Sequence, residues 1–240
     1  MAIGSFGRTR VFEDFLGAPE VTAMTTIAAS AGNWGYVCVN EGTMVAVSDE
    51  PNGVWTFNTD TADNDNFALF CGPFRAADGG VVMEARLKVA AITTSALFVG
   101  FTETLDATTP VMPAEFATAT MTYNGTGAIV GLQWDADGTT NDWRAVFGDG
   151  GAVKSNADAN GTRAYEAAVN DEWDVIKVEV SADAVARVWL NGRVIKEITS
   201  AVTTTDLLFP VVMVENRSGA SNALEIDYAF ADGGRDWSVT

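Results

Sequence analysis

The stretch DVIKVEVSADAVARVWLNGRVIKEI, residues 174–198, constrains the fold more than any other part of the chain. Ile176, Val178 and Val180 alternate with Lys177 and Glu179. Successive side chains of a strand point to opposite faces, so one face is buried and the other is wet. The alternation breaks at Ser181–Ala184, resumes, and turns at Asn191-Gly192. That pair fits a two-residue type I′ turn, in which both central residues need φ > 0. Three strands result, with Trp189 expected opposite Val194 and Val188 opposite Ile195.

Helical periodicity is almost absent from the rest of the chain. Runs of β-branched and aromatic residues recur between Gly, Asn, Asp and Thr clusters at 34–39, 43–48, 53–58, 66–71, 81–90, 95–102, 116–123, 127–134, 142–147, 173–180, 184–190, 193–199, 207–215 and 223–230. This pattern predicts an all-β fold of two packed antiparallel sheets. In the last run Leu224, Ile226, Tyr228 and Phe230 are expected to share one face, opposite Glu225 and Asp227. With 240 residues, one β domain over 26–240 accommodates all the runs.

Residues 1–25 differ. Arg8 and Arg10 precede the first acid, Glu13, and Phe6, Val11, Phe12, Phe15 and Leu16 follow no clean period. Two readings are open: a strand or clasp packed on its own domain, or an extended N-terminal arm that reaches another subunit. For the second, Arg8, Arg10, Phe12 and Phe15 are the contact candidates.

Composition excludes some functions. The 32 acids against 14 bases give a formal charge of −18, which opposes binding to nucleic acid or anionic lipid. No apolar run approaches the length of a membrane-spanning helix. Cys38 and Cys71 sit in apolar strand contexts and are expected as buried free thiols. MAIGSFGRTRVFEDFLG lacks the apolar segment and cleavage site of a secretory signal, so synthesis in the cytoplasm is expected.

The chain has no histidine, which removes Ser-His-Asp and Cys-His nucleophiles, His-ligated zinc and histidine acid–base catalysis together. Carboxylates remain. A retaining glycosidase needs two of them about 5–5.5 Å apart. The segment Glu225-Ile226-Asp227-Tyr228-Ala229 resembles the E-x-D-x-x-E or E-x-D-x-E motif of laminarinase-like jelly-roll glycosidases, but Ala229 stands where that motif has its second glutamate, so no enzymatic activity and no catalytic residues are expected. The acidic loops WDADGTTND (134–142) and NTDTADNDN (58–66) offer oxygen ligands of the kind Ca²⁺ takes, yet turns use Asp and Gly equally well for their backbone preferences. No metal or cofactor is assigned. Trp134, Trp143 and Trp173 can stack on sugar rings if exposed, or pack in the core.

WDVIKVEVSADAVARVWLNGRVIKEI followed by LFPVVMVENRSGASNALEIDYAF resembles the C-terminal strands of concanavalin A-like (laminin G-type) jelly rolls. GVWTFNTDTADNDNFALF, MEARLKVAAITTSALFVGFTET and MPAEFATATMTYNGTGAIVGLQWDAD resemble segments of tailed-bacteriophage structural proteins that carry this fold. The resemblance covers roughly residues 30–231 and implies an antiparallel jelly-roll sandwich. It also implies a structural virion protein: a capsid decoration or cement protein on the capsid exterior. Such a protein binds the major capsid protein as a homo-oligomer, a trimer by capsid symmetry, with no nucleic acid or membrane partner. The alternative is a carbohydrate-binding, lectin-like module of a phage fibre or tail, with Trp134 or Trp143 stacking and Asp135 or Asp137 hydrogen-bonding sugar hydroxyls.

Overall fold

The computed structural model describes residues 8–16, 21–24, 28–29, 34–40, 42–48, 50, 53–106, 110–118, 120–150, 152–153 and 166–234. Among them the strands are β1 (Arg8–Glu13), β2 (Val21–Met24), β3 (Ala28–Ala29), β4 (Trp34–Cys38), β5 (Gly42–Ala46), β6 (Trp55–Asn58), β7 (Asn66–Cys71), β8 (Val81–Val89), β9 (Ser95–Thr102), β10 (Ala114–Ala117), β11 (Thr120–Tyr123), β12 (Ile129–Asp135), β13 (Arg144–Asp149), β14 (Ala152–Val153), β15 (Asp174–Val180), β16 (Ala186–Leu190), β17 (Arg193–Ile198), β18 (Phe209–Asn216) and β19 (Ala223–Gly234). They form a nine-stranded sheet, eight strands in the order β17-β16-β15-β8-β19-β6-β5-β2 with β1 as the ninth pairing β19 beside this path, an eight-stranded sheet ordered β14-β13-β12-β9-β18-β7-β4-β3, and the hairpin β10-β11. The expected all-β antiparallel sandwich is the observed one.

The nine-stranded sheet keeps the alternation read from residues 174–180. Ile176, Val178 and Val180 on β15 and Met83, Ala85 and Leu87 on β8 enter the core between the sheets, and the intervening side chains face outward. The eight-stranded sheet differs, because β9 and β12 are buried along their whole length. Its outer face is covered by β10-β11: Met112, Phe116 and Met121 pack with Phe98, Val146 and Met213 in a second apolar layer. Full burial of each such side chain stabilises by about 1.5–3 kcal/mol. Burial on both faces also explains why SALFVGFT reads as a continuous apolar run. Phe98 lies so close to the backbone of Gly131 that an added Cβ there would sit 2.6 Å from its ring, which explains the glycine.

Several expectations need correction. The run 116–123 is not one strand but parts of β10 and β11, paired Phe116 to Met121 and Ala117 to Thr120. At Asn191-Gly192 both φ values are positive, 51° and 77°, and Trp189 faces Val194 as expected. Val188, however, lies opposite Lys196, not Ile195, because the register slips by one residue between Val188 and Trp189.

A second irregularity changes faces. In the β19–β8 pairing Ile226 faces Leu87 and Tyr228 faces Arg86, which leaves Asp227 as the extra residue. The period is thereby shifted: Leu224, Ile226, Ala229 and Ala231 point into the core, whereas Tyr228 and Phe230 do not share their face.

Residues 8–13, expected within an N-terminal arm, form the strand β1 on the domain's own sheet. β1 pairs with the C-terminal half of β19, Phe12 opposite Phe230, where β6 leaves that edge free. Residues 1–7, 17–20 and 25 of the expected arm lie outside the described residues.

Candidate functional site

Four strand ends and loops converge on one arginine at the edge of the second apolar layer. β18 runs FPVVMVEN, and its period of two puts Glu215 on the same face as Val211 and Met213. Arg217, two residues on, follows the same face. Its guanidinium, 3% exposed, donates from Nε and Nη2 to both oxygens of Asp135 at the end of β12, at 2.9 and 2.8 Å. Nη1 donates to Glu215 Oε1 at 2.5 Å and to the Asn64 side-chain carbonyl at 2.9 Å. Such bidentate, charge-assisted geometry is the strongest form of arginine–carboxylate contact.

The carboxylates extend the network. Asp135 Oδ2 accepts from the Phe116 backbone N–H at 3.0 Å, tying in β10, and Oδ1 accepts from Asp137 N–H at 3.0 Å. The second Glu215 oxygen accepts from Asn66 Nδ2, which also donates to the Pro110 carbonyl. The result is a rigid base on which two polar side chains face solvent. The Asp137 carboxylate is 56% exposed and 3.7 Å from Arg217, and Asn64 is exposed beside it. Partial burial and the nearby Asp135 carboxylate raise the Asp137 pKa.

Glu215 is the titrating member. Burial pushes its carboxyl from 4.5 up to about 7, against the opposing pull of the Arg217 charge and the Asn66 amide. The folded state therefore holds this proton more tightly than the unfolded chain. The stabilising contribution is complete below about pH 4.5 and is lost as pH rises through about 7. Relative to Glu215→Gln, the wild-type chain is expected to lose on the order of 2–3 kcal/mol between pH 4.5 and 7.5. Urea unfolding of both proteins across that range measures it; parallel curves would contradict it.

The residues singled out from sequence are dispersed. Trp134 and Trp143 are 2% and 1% exposed and meet edge-to-face at 4.6 Å inside the core. Their indole N–H groups donate to the Ser95 carbonyl at 3.3 Å and to Asp174 Oδ2 at 3.2 Å. Neither can stack on a sugar ring, and Asp135 is consumed by Arg217. Of that set Asp137 alone faces solvent. Glu225 and Asp227 lie on the outer face of the nine-stranded sheet, paired with Lys88 at 2.9 Å and Arg86 at 2.6 Å. Ala229 is in the core.

Arg8 and Arg10 both pair with Asp232 of the same chain. Phe15 is buried edge-on against Phe57 at 5.6 Å. Those three expected arm contacts are thus engaged within the domain, while Phe12, 58% exposed, stacks partly on Tyr228 at its outer edge. Cys38 and Cys71 are buried and not joined in a disulfide.

Sequence reasoning missed Arg217, Glu215 and Asn64. The legible signal was an apolar strand, PVVMV, ending in two opposite charges of the same face parity. Such a pair at the end of a buried strand must find partners.

No protein-family model and no curated protein sequence matches the chain. Solved structures do. A protein of unknown function, SO2946 from Shewanella oneidensis MR-1, is 15% identical with a TM-score of 0.58, covering 97% of this chain and 89% of that one. The Emp47p carbohydrate recognition domain is 13% identical with a TM-score of 0.54, covering 96% and 99%. The Ca²⁺/Man-bound exoplasmic/lumenal domain of VIP36 is 12% identical with a TM-score of 0.52, covering 92% and 88%. At these identities the likeness shows the fold alone: a concanavalin A-like jelly roll.

The Ca²⁺ of that last structure prompts a test of fit here. Ca²⁺ takes about six to eight oxygen ligands. At Arg217 both Asp135 oxygens, one Glu215 oxygen and the Asn64 carbonyl already accept from the guanidinium. Among the described residues no group of three or more acids or cysteines is placed to hold a metal ion. The donor set does not fit a divalent cation.

Proposed function

We propose that this chain is a non-catalytic, lectin-like carbohydrate-binding module whose ligand meets the loop end organised by Arg217. The observation that carries the reading is the pairing of a rigid, buried ionic base with the solvent-facing Asp137 carboxylate and Asn64 amide. Planar polar groups held in place recognise hydroxyls at little entropic cost. The reading is supported by the fold shared with the Emp47p carbohydrate recognition domain and with VIP36 in its Ca²⁺/Man-bound form.

Glycan-array binding by the whole chain, repeated in EDTA, tests it. Binding is expected to survive the chelator, because Arg217 supplies the positive charge. Asp137→Ala is expected to weaken binding by roughly tenfold or more, the worth of one hydrogen bond to a charged group. An array without signal would count against the reading.

A second reading is a structural virion protein, a capsid decoration protein bound to the major capsid protein. It rests on the sequence resemblance alone; burial of Trp134, Trp143 and Asp135 removes three glycan contacts expected from sequence without pointing to a capsid. A symmetric, stoichiometric copy number on purified heads, in place of glycan retention, is the result that this reading requires.

A further inference from the structure

The outer face of the nine-stranded sheet is crossed by one row of directly opposed residues. They are Val194 on β17, Trp189 on β16, Lys177 on β15, Glu84 on β8, Phe230 on β19 and Phe12 on β1. Opposed residues of antiparallel strands share a face. Six strands about 4.8 Å apart make the row about 24 Å wide. From one end the row reads apolar, aromatic, cation; from the other it reads apolar, aromatic, anion. Its ends are open, Val194 being 51% and Phe12 58% exposed.

The adjacent row is complementary to itself only at its outer edge. It runs Glu197, Arg187, Glu179, Val82, Asp232 and Arg10 over the same six strands. Reversed, it sets Glu197 against Arg10 at the outer edge, whereas Asp232 is buried under Arg8 and Arg10 of its own chain and Glu179 meets Val82, so the central row carries the complementarity. Within the chain the central charges lie close to the sheet: Lys177 sits 4.6 Å from the Trp189 ring centroid, and Glu84 accepts from the Tyr228 hydroxyl at 2.7 Å. The charge pattern of the central row is complementary to itself.

We infer that this face is a two-fold interface with a second copy of the chain. The axis lies in the interface plane, parallel to the strands and midway between β15 and β8. It brings Lys177 onto Glu84 of the partner subunit, Trp189 onto Phe230 of the partner subunit, and Val194 onto Phe12 of the partner subunit.

Strands of about seven residues by six across give a projected footprint of about 550 Å², on the scale of the ≈ 800 Å² of accessible surface that a standard interface buries on each partner. A self-complementary patch closes at two copies, whereas a trimer requires two different patches, so this face fits a dimer and not the trimer expected from capsid symmetry. The Arg217 end belongs to the other sheet and stays accessible. The dimer is therefore independent of which ligand that end takes.

Light scattering on the full chain after size-exclusion chromatography tests the inference. Wild type is expected at twice the mass of one chain. Lys177→Glu and Glu84→Lys, each checked for unchanged circular dichroism, place like charges on the axis and are expected to raise the dimer Kd by at least about tenfold. Mixed in equal amounts, the two variants restore both opposite-charge contacts and are expected to re-form dimers as heterodimers. Within-chain effects of either substitution cannot produce that rescue. A monomeric wild type, a Lys177→Glu chain that stays dimeric, or a mixture that stays monomeric would each overturn the inference.

Discussion

Arg217→Met is expected to destabilise the sandwich by about 3–5 kcal/mol, because it leaves Asp135 and Glu215 buried without their shared counter-charge. The loss should be largest above pH 7, where Glu215 is ionised, and smaller near pH 5, where burial keeps it protonated. Adding Glu215→Gln to Arg217→Met should return part of the loss by removing one stranded charge. Chemical denaturation of the single and double variants at both pH values measures these differences. A change below about 1 kcal/mol for Arg217→Met would mean that the ion pairs are solvated surface contacts. Because the guanidinium joins the end of β12, the end of β18, the loop at Asn64 and, through Asp135, the hairpin β10-β11, its removal should also loosen β10-β11. Faster amide exchange at Phe116 N–H would report that directly.

The second large effect is expected at the paired indoles. Trp134→Ala and Trp143→Ala should each cost about 3–5 kcal/mol, the range for truncating a fully buried aromatic. Trp143→Ala also strips one hydrogen bond from Asp174, whose carboxyl is already raised by burial and retains the Asn191 side-chain amide. The two losses should not add, since the rings touch at 4.6 Å and share one cavity. Denaturation midpoints of the two single variants and the double variant test both statements. Glycan retention by Trp143→Ala, measured where the variant is still folded, should equal that of wild type. Loss of retention at unchanged stability would return Trp143 to the binding site.

Much of the frame was legible because its signals are local. The alternation in DVIKVEV needs only neighbours two residues apart, and Asn191-Gly192 needs only its own backbone. The hairpin β10-β11 was read as one strand because nothing in ATATMTY announces where the chain reverses. Both register errors came from single extra residues, at Ile195 in β17 and at Asp227 in β19. A bulge is set by how two strands fit together, and one residue of slip exchanges the faces of everything beyond it.

The candidate site was less legible for the same reason. Asp137 was identified as a polar loop residue, and it faces solvent. Trp134 and Asp135 are adjacent in sequence yet enter different layers, the ring between the sheets and the carboxylate beneath β10-β11. Sequence grouped them as glycan contacts, and nothing in it tells that both are covered.

By itself the sequence determined the β class, the strand periods, the type I′ turn and the exclusion of histidine chemistry, since each rests on residue identity or spacing along the chain. Tertiary structure alone decided that the N-terminal segment 8–13 completes a sheet, that Trp134 and Trp143 are core, and that Arg217 meets an Asp135 82 residues away. Burial and ion pairing are properties of what lies opposite a side chain in space. In a sandwich of long-range antiparallel pairings, that neighbour is seldom near in sequence.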